Sequence, residues 1–532
     1  MKIVFLNVIF FIISFTTQAN TYFVSKKGAD TNQGTEASPW LTIQKAASTL
    51  VAGDTVFIKA GKYNERVIIQ NSGTTDNYIL FSNFQNDTVI INGSGIAWGG
   101  AWNGLIDISN KNYIIVTGLI IKNADYGGIW VDSSNHIIIK NNCTYNTYSC
   151  GIGIWNSNFV TVDSNEVELA CNDGEQECIS VANSGNCLVK NNNVHDNGPG
   201  TEGGEGIDIK EGSHDIDAYR NKVHHLNNRL GIYADAWNRH TYNINIYQNI
   251  IHHCSETGLA VASENGGLIE NVTISNNIIY YNKYGGIELG DWSDIGFIGE
   301  KPIEHVKITN NTCYRNGKYD GGWGYGIVVD NPDAADITIR NNICSENNAQ
   351  IAIQQIATGA IVDHNLLFGN NNASGTLYGT DYIVENPLFI DTAMYNFHLQ
   401  NNSPSIDNGS PENVSAFDFD GFNRPYGDGF DIGAYEYHPT LTIRYNRVPN
   451  DIVKISPNPV FDIFAIIIKG SKFQNYTLKL FNSDGKLVRE TKAIKVKNGS
   501  ISMKRNGLTS GVYILNVMAD NQVIANKKLI FD

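Results

Sequence analysis

Between Glu177 and Asp291 one short phrase recurs five times: ECISVAN from Glu177, EGIDIKE from Glu205, LGIYADA from Leu230, TGLAVAS from Thr257 and GGIELGD from Gly285. The anchors Ile179, Ile207, Ile232, Leu259 and Ile287 stand, by subtraction, 28, 25, 27 and 28 residues apart. A chain that repeats one strand at this interval buries its apolar face by stacking coil on coil, as a solenoid does. The anchor and the residue two further on are apolar or small, so they face inward and their neighbours face outward. The outward column reads Ser180 and Ala182, Asp208 and Lys210, Tyr233 and Asp235, Ala260 and Ala262, Glu288 and Gly290.

A second column sets the same period. An Asn followed two residues later by an apolar residue or Cys is read once per coil, at Asn165, Asn193, Asn221, Asn249, Asn277, Asn311, Asn342 and Asn365. Stacked amides of this kind predict a ladder running from coil to coil. Strands in every unit, with no amphipathic helix between them, predict an all-β fold: a right-handed parallel β-helix.

Lys2, the apolar run Ile3 to Phe15 and a polar stretch ending at Ala19 have the layout of a secretory signal peptide, residues 1–19. No later run is long enough to span a bilayer as a helix, so no transmembrane segment is expected. The formal charge of −15 argues against nucleic acid as a partner, because phosphate binding needs a basic face. Eight Cys are present, in a chain whose export would permit disulfides. Cys171 and Cys178 bracket an acidic loop and could staple it, whereas Cys143, Cys187, Cys313 and Cys344 follow Asn-rich turns and are expected at inward positions. No CxxC pair occurs, which excludes a zinc or thiol-redox motif of that type.

The segment TYFVSKKGADTNQGTEASPWLTIQKAASTLVAGDTVFIKAG reads as a cap: a strand, a small-residue turn, an amphipathic helix over Thr42 to Val51, a Gly53-Asp54 turn and a strand. It resembles the first coil of right-handed β-helix polysaccharide enzymes, above all the pectate-lyase-like group. That resemblance runs from Thr21 to about Tyr437, where the phrase FDIGAYEY closes it. Beyond lies alternating sequence with Asn-Pro, Asp-Gly and Ser-Gly turns, the pattern of a small antiparallel β-sandwich. With SPNP at Ser456 to Pro459, DGK at Asp484 to Lys486 and SGVY at Ser510 to Tyr513, it resembles the C-terminal sorting domain of type IX secretion. The resemblance implies a Bacteroidetes-type source, the type IX machinery as a partner, and release or attachment at the cell surface. The expected organisation is a cap and first coil over residues 20–60, the catalytic β-helix over 61–440, a linker over 441–454 and the sorting domain over 455–532.

Adjacent coils lie roughly 4.8 Å apart, which puts Lys210 under Asp235 and Asp208 under Tyr233, with Asp208 and Asp235 on a diagonal. Glu177 and Glu205 share a position two residues before their anchors, with Glu202 and Glu175 near them, and Glu264 and Glu288 lie above. One charged residue on such a face is ordinarily just solvated; convergent Asp, Lys, Tyr, Asp and Glu within four rungs make a candidate catalytic site. Trp130, Trp155, Trp237, Trp292 and Trp323 flank it, and flat rings suit the apolar faces of sugars.

Two chemistries fit these residues. In β-elimination on a uronic-acid-containing polysaccharide or oligosaccharide, such as a marine algal one, Lys210, Arg229 and Arg239 are candidates for holding the sugar carboxylate. Tyr233, Lys210 or His240 would then move the proton, leaving an unsaturated uronyl product. Glu177, Glu202 and Glu205 could hold a Ca²⁺. The Glu205 to Lys210 spacing resembles the active strand of chondroitinase- and alginate-lyase-like β-helices. Asp235 stands where those enzymes carry Arg, and Ala260 where the pectate-lyase-like group carries its catalytic Lys. Asp235 beside Lys210 should also raise the Lys pKa and make it a clamp rather than a base. In the alternative, glycoside hydrolysis, Asp208, Asp235 and Glu264 are the paired carboxyls. Epimerisation and non-catalytic glycan binding at the cell surface complete the set. A separate column, His195, His224, His252 and then Tyr280, is expected to stack on another sheet.

Overall fold

The computed structural model describes residues 19–97, 100–172, 175–199, 203–292, 296–317, 324–353, 359–369 and 379–439, and parts of the stretch 453–531. Most of the signal peptide and the linker, Glu202, Trp323 and much of the three sorting motifs lie outside the described residues. The chain divides into two compact units, Met1–Tyr437 and His438–Asp532.

In the first unit successive coils contribute strands to three parallel sheets of 14, 11 and 12 strands among the described residues. One coil runs Ile207–Lys210, His214–Tyr219, Lys222–His224, and the next coil repeats it in register. Inward Ile, Val and Leu from all three sheets fill a continuous core. The helix of the cap spans Ile43–Thr49, with the Thr42 side chain accepting from the Lys45 amide as N-cap. Its residues Ile43, Ala46 and Ala47 are buried in the same core.

Turning three corners per coil leaves backbone groups that a sheet cannot satisfy, and side-chain ladders take them up. At one corner each Asn Oδ1 accepts the amide of the Asn one coil before, at 2.8–3.0 Å, from Asn142 through Asn165, Asn192, Asn221, Asn249, Asn277, Asn311 and Asn342 to Asn365. Asn193 is not a rung of it. In the run Asn191-Asn192-Asn193 the apolar Val194 lies two residues after Asn192, so Asn192 takes the corner and Asn193 turns outward to Glu166. The same offset decides Cys143: the inward position two residues after Asn142 is Thr144, fully buried, so Cys143 faces outward, unlike Cys187, Cys313 and Cys344. Ser134, Ser157, Ser184 and Ser213 line a second corner in the same manner. The thiols of Cys171 and Cys178 are both buried and are not joined in a disulfide, so the staple across the acidic loop is not formed.

The phrase ending at Tyr437 folds over the last coils. Ile432, Ala434 and Tyr435 are buried, and Arg424 donates to Glu436 at 2.6 Å in a fully buried pair. The second unit holds a three-stranded and a four-stranded antiparallel sheet around Phe464, Leu478, Leu515 and Phe531.

Candidate active site

The 11-stranded sheet carries the outward column, and its register is the one the repeats predict: Ser180 pairs Asp208, Asp208 pairs Tyr233, Tyr233 pairs Ala260 and Ala260 pairs Glu288. Alongside, Ala182 pairs Lys210, and Asp235 pairs Ala262. The column is not a solvated face. Asp208, Tyr233 and Asp235 are each at most 5 % exposed, because segments before and after the strands rise around them. Glu175, Gln176, Glu177, Gly203, Glu205 and Arg229 come from the entering segments, and Glu211, Trp237 and Glu264 from the leaving ones. Together they enclose a recess of about 490 Å³.

At its floor Lys210 Nζ donates to Glu177 Oε1 at 2.6 Å and stands 3.6 Å from Asp208 Oδ2. Burial opposes its charge, but Glu177, Asp208 and Asp235 outweigh burial and hold the ammonium well above its ordinary value. The rise expected from Asp235 is found, and Glu177 is the strongest of the carboxyls that cause it. The other Glu177 oxygen, Oε2, accepts from Ser180 Oγ at 2.7 Å. Burial, then the neighbouring Asp235, push Asp208 well above the usual carboxyl range, while Lys210 pulls the other way. Burial and then Glu264 do the same to Asp235. Oδ1 of Asp208 and Oδ1 of Asp235 are both buried without a hydrogen-bond partner. Two adjacent buried carboxyls cannot both ionise cheaply, so the pair keeps a proton. Tyr233 donates its hydroxyl to Glu264 Oε1, and burial with that carboxylate raises the phenol well above its ordinary value. Burial and then the neighbouring Glu177 push the half-buried Glu205 up to about 7. Arg229 lies 3.8 Å from Glu205 and donates to the Gly203 carbonyl, leaving its Nη2 buried and unpartnered.

Several residues singled out in the sequence fall elsewhere. Glu288 is buried outside the recess, with Thr257 donating to it at 2.7 Å, and sits at about 7 because of its burial. Its rung is separated from Tyr233 by Ala260, and Trp292 packs over this part of the sheet, 5.7 Å from the Tyr233 ring and against Gly290. Arg239 and His240 lie exposed beyond the strand end, and His240 pairs with Glu270 on the adjoining sheet. Trp155 joins an aromatic cluster two rungs below Lys210. Glu175 lines the recess as well, and so do Gln176 and Glu211, which were not singled out because no repeat marks them.

Of the expected Ca²⁺ corner, Glu202 lies outside the described residues, and Glu177 and Glu205 are already engaged. Calcium takes six to eight oxygens. Glu177 has one oxygen on Lys210 and the other on Ser180, and Glu205 faces Arg229. Among the described residues the one group of three metal-ligand atoms within 4.8 Å of one another is Glu270, Glu304 and His305, on a different sheet.

Residues 64–223 and 219–301 match the right-handed β-helix region family, and residues 454–532 match the secretion-system C-terminal sorting domain. The chain is a right-handed β-helix protein with a type IX sorting domain. It is therefore secreted or attached to the cell surface. The β-helix protein is 26% identical over 449 residues to the uncharacterised protein YwoF of Bacillus subtilis, covering 72% of this chain and 91% of that one. It is 24% identical over 417 residues to pectate lyase PEL9 of Emericella nidulans, covering 68% and 91%. Among solved structures it is similar in fold to pectate lyase Pel9A, with a TM-score of 0.52 at 14% identity over 79% of this chain and 97% of that one. A second such structure is XylC in complex with xylose, also at 0.52 and 14%, over 78% and 98%.

Proposed function

We propose that the recess cleaves glycosidic bonds by hydrolysis, with Asp235 as general acid and Asp208 as general base. The observation that carries this is the coupled pair of buried carboxyls, each with an unpartnered oxygen, in a recess that also holds the single ammonium of Lys210. Action on a polysaccharide or oligosaccharide is supported by the likeness to pectate lyase PEL9 over most of that protein's length.

Lys210 draws both carboxyls toward the ionised form and stands 3.6 Å from Asp208, while Asp235 also faces Glu264, so the shared proton is assigned to Asp235. In the reaction Asp235 gives its proton to the glycosidic oxygen, which leaves with the electron pair of the broken carbon–oxygen bond. Asp208 takes a proton from the water whose oxygen forms the new bond to the anomeric carbon. Asp208 and Asp235 occupy diagonal positions on neighbouring rungs, which sets their Cβ atoms roughly 7–8 Å apart. That leaves room for a water between the carboxyls, the arrangement that inverts the anomeric centre. Tyr233 is held toward Glu264 as a positioning residue, and Arg229 Nη2 is available to a substrate hydroxyl.

Elimination on a uronic acid is the second reading, favoured by the relationship to pectate lyase PEL9. Its base would have to work near neutral pH, yet Lys210 and Tyr233 are both held protonated. Among the described residues the recess carries seven carboxyls, Glu175, Glu177, Glu205, Asp208, Glu211, Asp235 and Glu264, against Lys210 and Arg229, a poor lodging for a uronate. The test is incubation of the purified protein, as wild type, Asp208→Asn and Asp235→Asn, with a panel of neutral and acidic polysaccharides. Reducing ends formed without ultraviolet absorbance of an unsaturated sugar, and lost in both variants, support hydrolysis. Absorbance growing in step with the reducing ends overturns it.

A further inference from the structure

The strongest feature outside the recess is a set of stacked aromatic rings on the same sheet, two rungs toward the cap. Trp130 lies over Gly153, where an added Cβ would come within 2.9 Å of its ring, so glycine at that rung lets the indole lie flat. Trp155 stacks on Trp130, with centroids 5.8 Å apart and planes at 15°. Trp102 stands edge-on to Trp155 at 4.9 Å and 85°, and Tyr126 closes the cluster. Exposure rises in steps, 1 % for Trp130, 8 % for Trp155 and 55 % for Trp102, so one large ring is presented to solvent on a rigid foundation. Trp102 also holds a left-handed backbone conformation, φ 62°, which a bulky residue adopts only when its surroundings enforce it.

The cluster is continuous with the recess. Trp155 pairs Ala182, which pairs Lys210, and Lys210 Nζ lies 5.8 Å from the Trp155 ring. Two rungs span about 10 Å at about 4.8 Å each, the length of a disaccharide.

We propose that Trp102, seated on the Trp130–Trp155 stack, is a sugar-stacking platform that holds a glycan chain running along the sheet from the recess toward the cap. An exposed aromatic ring offers a flat apolar face that matches the C–H face of a pyranose, and continuity with the acidic recess selects a carbohydrate as occupant over an apolar partner. This rests on the reading of the recess as a glycan site. It adds the direction of the chain and a preference for oligosaccharides over short substrates.

The test uses the full chain carrying Asp235→Asn, so that binding is read without turnover. Retardation in native gels containing xylan or polygalacturonate, and quenching of tryptophan fluorescence by their oligosaccharides, are compared for Trp102, Trp102→Ala and Trp102→Tyr. The expected result is that Trp102→Ala weakens oligosaccharide binding about tenfold and Trp102→Tyr restores most of it. In the Asp235-containing protein, Trp102→Ala should raise KM for the polymer about tenfold while leaving kcat on a short chromogenic glycoside unchanged. Equal binding by Trp102 and Trp102→Ala overturns the platform alone. Absence of glycan binding by the parent protein overturns the glycan reading of the recess as well.

Discussion

Lys210 and Glu177 lie 33 residues apart in sequence and are joined by a 2.6 Å hydrogen bond between ammonium and carboxylate, both nearly buried. This pair places the one ammonium of an acidic recess beside Asp208 and takes Lys210 out of service as a base. Removing one member of a buried pair leaves the other uncompensated, at a cost of about 3–5 kcal/mol. Lys210→Met should therefore destabilise the β-helix by about 3 kcal/mol in denaturant unfolding. Glu177→Gln should cost less, because Asp208 remains beside the ammonium.

The same pair sets the pH dependence. Activity requires Asp208 ionised and Asp235 protonated, so the rate falls at low pH as Asp208 gains a proton and at high pH as Asp235 loses one. Lys210 favours the charged form of Asp208, and its loss would raise the Asp208 pKa. In a Lys210 variant that remains folded, the acid limb of the kcat/KM profile should move to higher pH; an unmoved limb would separate Lys210 from Asp208.

Asp208→Asn and Asp235→Asn should each lower kcat by about 10²–10⁴. Tyr233→Phe, which removes only the bond to Glu264, should cost less than either. If the carboxyls act across a diagonal with a water between them, the first product has the inverted anomeric configuration. Proton NMR of the fresh product reads this directly.

The His column answers to pH in a different way. His195, His224 and His252 stack at 4.9 Å centroid spacing, with Tyr280 above them. Burial is the largest cause holding His224 down to about 3 and His252 to about 2. The unfolded chain takes up these protons near pH 6.5 and the folded chain does not. The stability contributed by neutral His224 and His252 is therefore complete above pH 6.5 and is lost as the pH falls from there toward 3. Melting temperatures should drop over that range, and His224→Phe with His252→Phe should flatten the drop.

Asn249 exchanges hydrogen bonds with the coils on both sides: it accepts from Asn221 and donates to Asn277 and to the Ala218 carbonyl. Asn249→Ala leaves buried groups on two coils unpaired and should cost about 2–4 kcal/mol in denaturant unfolding.

The column of Asp208, Lys210, Tyr233 and Asp235 was legible because a period-two strand fixes which residues share a face, and the coil interval fixes which lie one above another. What rises around that column was not legible. The segments bearing Glu175, Gln176, Arg229 and Trp237, before and after the repeated phrases, carry no repeat, so the burial that turns a charged face into a recess of neighbouring carboxyls had no signature in the sequence. Glu177 illustrates this: its place two residues before the anchor suggested a metal ligand, whereas its contacts with Lys210 and Ser180 depend on side-chain reach across a coil. Asn193 and Cys143 mark the other boundary, where consecutive Asn or polar residues leave the register open by one residue and only packing decides which faces inward.

The central claim is that water, not an internal proton abstraction, completes the cleavage. The most direct measurement is mass spectrometry of products formed in heavy-oxygen water. Hydrolysis predicts saturated products carrying one heavy oxygen at the new reducing end, with none formed by Asp235→Asn. Unsaturated products without incorporated solvent oxygen, or cleavage undiminished in Asp235→Asn, would contradict it.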